Sequence, residues 1–94
     1  MPRLDSDQLL QFAATLPGWQ LRPDALRRSF EFPDFVAAIQ FVNDLAALAE
    51  RQGHHPDIDI RYNRVSLTLS SHDSGGVTER DMTLATAINQ LKSA

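Results

Sequence analysis

A chain of 94 residues with a formal net charge of −3 and no cysteine is expected to be one domain, long enough to bury a core. The acidic balance argues against nucleic-acid binding driven by phosphate neutralisation, and the lack of cysteine excludes disulfides, thiolate metal sites and cysteine nucleophiles. The N-terminal stretch lacks the apolar core of a signal peptide and no apolar run approaches membrane-spanning length, so a cytoplasmic setting without membrane contact is expected.

In chain order, Asp5 or Ser6 can cap a first helix, with Gln8 three residues after Asp5 and an apolar face of Leu9, Phe12, Ala13 and Leu16 that stops at Pro17-Gly18. Two short strands follow, Trp19 to Arg22 and Leu26 to Phe32, around the turn signal Pro23-Asp24; Arg28 interrupts the alternation of the second. Pro33-Asp34 opens a long second helix that runs to about Gln52. Its main stripe is read as Phe35, Ala38, Ile39, Val42, Leu45, Ala46 and Ala49, with Ala37, Phe41 and Leu48 on a second row outside it. Gly53 suits the left-handed position that ends a helix.

Ile58, Ile60 and Tyr62 alternate with polar residues, as do Val65, Leu67 and Leu69. A hairpin turning at Asn63-Arg64 sets Tyr62 opposite Val65, Ile60 opposite Leu67 and Ile58 opposite Leu69. After the loop from Ser71 to Gly76, Thr78 and Asp81 form a capping box for a last helix with the face Met82, Ala85, Ile88 and Leu91. The order α-β-β-α-β-β-α predicts an α+β fold over residues 1–94, a four-stranded antiparallel sheet with three helices on one face.

The same register carries His55 opposite His72 at the open end of the hairpin, with His54 adjacent and Glu50 one helical turn behind it. Each residue alone has a plainer explanation: His54 as a helix C-terminal cation, His72 as a loop residue, Asp81 as a cap, Glu50 as a solvated helix residue. Their convergence is not explained by four separate surface roles. Adjacent histidines diverge and seldom share one ion, so a metal site is the weaker alternative. Ser70, Ser71 and Ser74 lack a strained nucleophile turn. Acid–base chemistry by imidazole, whose ordinary pKa of ~6.5 suits proton transfer near neutrality, is the expectation.

At these residues the sequence resembles the pterin-4a-carbinolamine dehydratases: Glu50-x₃-His54-His55-Pro56, Tyr62, His72 and Asp81 stand at the family's spacing. The likeness extends to Gly18-Trp19, Phe30-x-Phe32, Phe35, the Asn63 turn, Ser70-x-His72, Gly76 and Asp81-x₂-Leu84-Ala85. Gly53, where some relatives carry an acidic residue, and Ser71, where many carry threonine, depart from it. The resemblance implies a lyase that removes water from a 4a-hydroxytetrahydropterin to give the quinonoid dihydropterin, recycling the pterin used by aromatic amino acid hydroxylases. It implies His54, His55 and His72 as the active imidazoles, Glu50 and Asp81 as groups that tune or position them, and Gly53, Pro56, Ser70, Ser71 and Asp73 with the histidines as the pterin-binding residues. No metal and no cofactor besides the pterin substrate are implied. The implied assembly is a homodimer or homotetramer, and the alternative function is a non-enzymatic dimerisation or assembly cofactor on the same fold. The second-row residues Ala37, Phe41 and Leu48 are read as a helical surface for such assembly, and an uncovered edge strand of the sheet is a second route to it.

Overall fold

The computed structural model describes residues 2–13 and 15–93. Three helices, α1 (Ser6–Ala13), α2 (Phe35–Gln52) and α3 (Glu79–Ser93), pack against a sheet of β1 (Gln20–Leu21), β2 (Leu26–Glu31), β3 (Asp57–Arg61) and β4 (Arg64–Leu69). The sheet is antiparallel throughout, in the order β1-β2-β4-β3. The element order and layer arrangement are those expected from the sequence.

Local chemistry fixes the helix starts. Asp5 and Gln8 form a reciprocal capping box at α1, each side chain accepting the other's backbone N–H at 2.9 Å. Leu9 is buried and Phe12 half-buried on its inner face; Leu16 is buried beyond the helix end, and the side chain of Ala13 lies outside the described residues. Asp34, in extended conformation, caps α2 by accepting the Ala37 N–H at 2.8 Å.

The core lies between α2, α3 and one face of the sheet. Leu26 and Phe30 on β2 and Val65, Leu67 and Leu69 on β4 point into it, meeting Ala38, Phe41, Leu45, Met82, Leu84, Ala85 and Ile88. Arg28 falls on this same face but does not break it. Its guanidinium lies 4.4 Å from the Phe30 ring centre and donates to the Pro17 carbonyl and Asn89 Oδ1. Gly18 is needed here because a Cβ would stand 2.6 Å from the Arg28 guanidinium carbon, at a φ of +88°.

Two expectations are corrected. First, Phe41 and Leu48 are core residues, not a surface row. Phe41 is 6% exposed, its ring 5.1 Å from those of both Phe30 and Phe32, while Phe35 and Ala46 of the supposed inner stripe are exposed. The buried line is Ala38, Phe41, Leu45, Leu48 and Ala49, also at helical spacing; on a helix this apolar, periodicity permits more than one rotation.

Second, the hairpin turns at Tyr62-Asn63, not Asn63-Arg64. Ile60 faces Val65, Ile58 faces Leu67, and Asp57 faces Thr68. Tyr62 leaves the strand with φ 49° and is exposed. The turn is tied to β2 through Asn63, whose side-chain amide donates to the Phe32 carbonyl at 2.8 Å while its own carbonyl accepts the Phe32 N–H at 2.9 Å. The displacement is two residues, so every side chain keeps its face and the alternation of apolar residues could not distinguish the two registers.

Candidate active site

The site is assembled where α2 ends, β4 leaves the sheet and α3 begins. Gly53 closes α2 with φ 64° and ψ 29°, a left-handed cap that glycine adopts without a Cβ penalty. The chain therefore turns sharply, and the two histidines after it diverge. His54 is 8% exposed and turns inward to α3, where its Nε2 lies 2.5 Å from Asp81 Oδ1. His55 turns outward, and its Nε2 bonds Glu50 Oε2 at the surface. Glu50 thus partners His55, not the His54 expected one helical turn away; the left-handed cap takes His54 off that helical face.

Asp81 is 0% exposed and fully engaged. Its Oδ2 accepts the Thr78 N–H at 2.9 Å and the Ser71 hydroxyl at 3.0 Å, while its Oδ1 meets His54. Ser71 and Thr78 hydroxyls lie 2.9 Å apart, and the Arg80 N–H reaches the Thr78 hydroxyl at 3.3 Å. A buried carboxylate needs this set of donors to offset its lost hydration. Capping and holding His54, alternatives in the sequence, are here simultaneous, one carboxylate oxygen for each. A carboxylate at Asp81 only accepts, so a neutral His54 carries its proton on Nε2 and its lone pair on Nδ1. Among the described residues no buried side-chain N or O lacks a hydrogen-bond partner.

Between α2 and the loop after β4 opens a cleft of about 350 Å³, walled by Gly53, His54, His55, Ser70, Ser71, Asp73 and Arg80. Six of these were expected from the sequence as binding residues. Pro56, also expected, is half-buried and is not in that wall. His72 stands in a single 3₁₀ turn, His72–Ser74, inside a loop closed by the pairing of Ser71 with Gly76. The side chain of His72 lies outside the described residues. The observed register, extended past Asp57 and Thr68, sets His55 opposite Ser70, so the expected match of His55 with His72 does not hold; His72 is two residues farther along.

Arg80 was missed. Its guanidinium donates from Nη2 to the Gly53 carbonyl at 3.0 Å, bridging the start of α3 to the cap of α2. A signal was present: a cation in the first turn of a helix opposes the helix dipole, which invites another reason for it.

Residues 2–91 match the family described as pterin 4 alpha carbinolamine dehydratase. The chain belongs to this family. Among its relatives, provisionally named pterin-4-alpha-carbinolamine dehydratases, that of Acidobacterium capsulatum is 52% identical over 97% of this chain and 99% of its own. That of Chloroflexus aurantiacus is 50% identical over 97% and 98%. Among solved structures, a transcriptional coactivator/pterin dehydratase from Brucella melitensis superposes with a TM-score of 0.89 at 38% identity, covering 95% of this chain and 97% of its own. A pterin dehydratase-like protein described as a RuBisCO assembly factor in the alpha-carboxysome superposes less closely, with a TM-score of 0.67 at 27% identity over 81% and 88%. Among the described residues no helix is long and apolar enough to cross a membrane.

Proposed function

We propose that this member of the family dehydrates a 4a-hydroxytetrahydropterin to the quinonoid dihydropterin by histidine acid–base catalysis. The observation that carries the reading is the pair formed by His54, in the cleft wall, with the buried Asp81 behind it. It offers a basic Nδ1 to a ligand and a buried carboxylate to stabilise the imidazolium that forms when Nδ1 takes a proton. In the proposed step, His54 removes the proton on ring nitrogen N5 while a protonated imidazole, His72, gives a proton to the departing hydroxyl. The C4a–O bond breaks, a C4a–N5 double bond forms, and water leaves. Ser70, Ser71 and Asp73, on either side of His72 in sequence, are in the cleft wall and support its place in the scheme. His55, held by Glu50, orients the ring, and Pro56 stiffens the chain behind it. The reaction balances without metal or redox cofactor.

The physiological role in this reading is recycling of the pterin that an aromatic amino acid hydroxylase consumes, in the cytoplasm. The active species is a homodimer or homotetramer. Strand β3 supports this: it is a sheet edge whose Ile58 and Ile60 remain 39% and 37% exposed on the core side of the sheet, a surface suited to pairing with a second copy. A non-enzymatic assembly role is the second reading, favoured by the likeness to the RuBisCO assembly factor.

The test is dehydration of freshly generated substrate by wild type, His54→Ala and His72→Ala. Each variant is expected to be slower by about tenfold or more, given the usual ~10²–10⁴ contribution of acid–base groups. Chelator is expected to leave the wild-type rate unchanged. Loss of activity on chelation with recovery on adding zinc would replace this mechanism with a metal-dependent one.

A further inference from the structure

Arg80 is a residue of the cleft that neither the fold nor the proton chemistry absorbs. It is half-buried and, among the described residues, in no salt bridge. Among the described residues, the acceptor of its side-chain nitrogens is the Gly53 carbonyl, reached from Nη2. It walls the cleft with His54 and also the adjoining cavity of about 330 Å³. A partly desolvated guanidinium with donors to spare, held in place by one tether, is suited to an electronegative oxygen of a ligand.

The rest of the wall narrows which oxygen. Asp73 brings a carboxylate and Ser70 and Ser71 bring oxygens to the same cleft, so a small free anion would meet repulsion as well as attraction. A neutral ring bearing both a carbonyl and an amino group matches both kinds of wall: the carbonyl accepts from the guanidinium, and the amino group donates to the oxygens. Resting on the dehydratase reading, we infer that Arg80 binds the carbonyl oxygen of the substrate's pyrimidinone ring and so selects a 4-oxo over a 4-amino pteridine. That carbonyl adjoins the carbon that loses the hydroxyl, so the contact also fixes the reacting carbon near His54.

Two stable fluorescent ligands test this: 2-amino-4-oxopteridine and 2,4-diaminopteridine, titrated into wild type, Arg80→Gln and Arg80→Lys. Wild type is expected to bind the oxo compound at least about tenfold more tightly, the scale of one hydrogen bond to a charged group. In Arg80→Gln the two affinities should fall within about twofold of each other, mainly by loss of the oxo compound. Arg80→Lys keeps a cation and a donor for the Gly53 carbonyl, and it should still lose most of the preference because a point charge does not reproduce the guanidinium fork. Should Arg80→Gln fail to fold, Arg80→Lys alone decides. Equal loss of both ligands, or a wild-type preference retained in Arg80→Lys, would overturn the inference by reducing Arg80 to a tether on Gly53. Wild type binding neither pteridine would defeat the dehydratase reading itself.

Discussion

Replacing Asp81 by asparagine separates the two duties of that side chain. The amide oxygen still accepts the Thr78 N–H, so the start of α3 keeps its cap. The amide nitrogen turns to His54 as a donor where the carboxylate was an acceptor. The imidazole must then carry its proton on Nδ1, and the lone pair needed for proton removal is gone. Asp81→Asn is therefore expected to lower dehydration by about tenfold or more with a small change in thermal midpoint; equal activity would remove the pair from the mechanism. His54→Ala acts differently, because it strips a partner from a buried carboxylate as well as a base from the cleft. A stability loss of ~1–3 kcal/mol, read by denaturant unfolding, should accompany its loss of activity. Glu50→Gln touches only a surface pair with His55 and should change stability by less than ~1 kcal/mol.

At the scale of elements, Phe41→Ala should cost ~3–5 kcal/mol, since Phe41 fills the space between Phe30, Phe32 and the sheet. Unfolding at unchanged denaturant midpoint would contradict that packing. Helix starts and the end of α2 were largely legible in the sequence, with Asp5 one of two candidates and Pro33-Asp34 marking the start of α2, because Asp5, Asp34, Gly53 and Thr78 act through neighbours a few residues away. The strands and their faces were legible for the same reason. What was not legible depends on contacts from afar. Which rotation of α2 is buried is settled by Phe30 and Phe32 on the sheet. Which two residues turn the β3–β4 hairpin is tied to the hold of Asn63 on Phe32, thirty-one positions away. The site shows the same division. His54, His55, Ser70, Ser71, Asp73 and Asp81 were named from the sequence, but the swap of Glu50 from His54 to His55 follows from the left-handed turn at Gly53. The place of Arg80 follows from α3 docking on that turn.

For the whole molecule, of the two assembly routes read from the sequence, the burial of Phe41 and Leu48 leaves the sheet edge. The exposed large apolar residues are Leu10, Phe35, Val36, Tyr62, Ile58 and Ile60, of which Ile58 and Ile60 lie on the edge strand β3. Ile58→Lys with Ile60→Lys is expected to shift wild-type oligomers toward a 10.5 kDa species in sedimentation while the fold is retained. Wild type sedimenting as a monomer at tens of micromolar would end this proposal. Catalysis at the cleft between the end of α2 and the loop after β4 carries the proposed function. Its most direct measurement is the rate at which freshly generated 4a-hydroxytetrahydropterin becomes quinonoid dihydropterin, followed with and without the protein. Acceleration in proportion to protein concentration is expected, with each molecule turning over many substrates; an identical rate in both samples would contradict catalysis at this site.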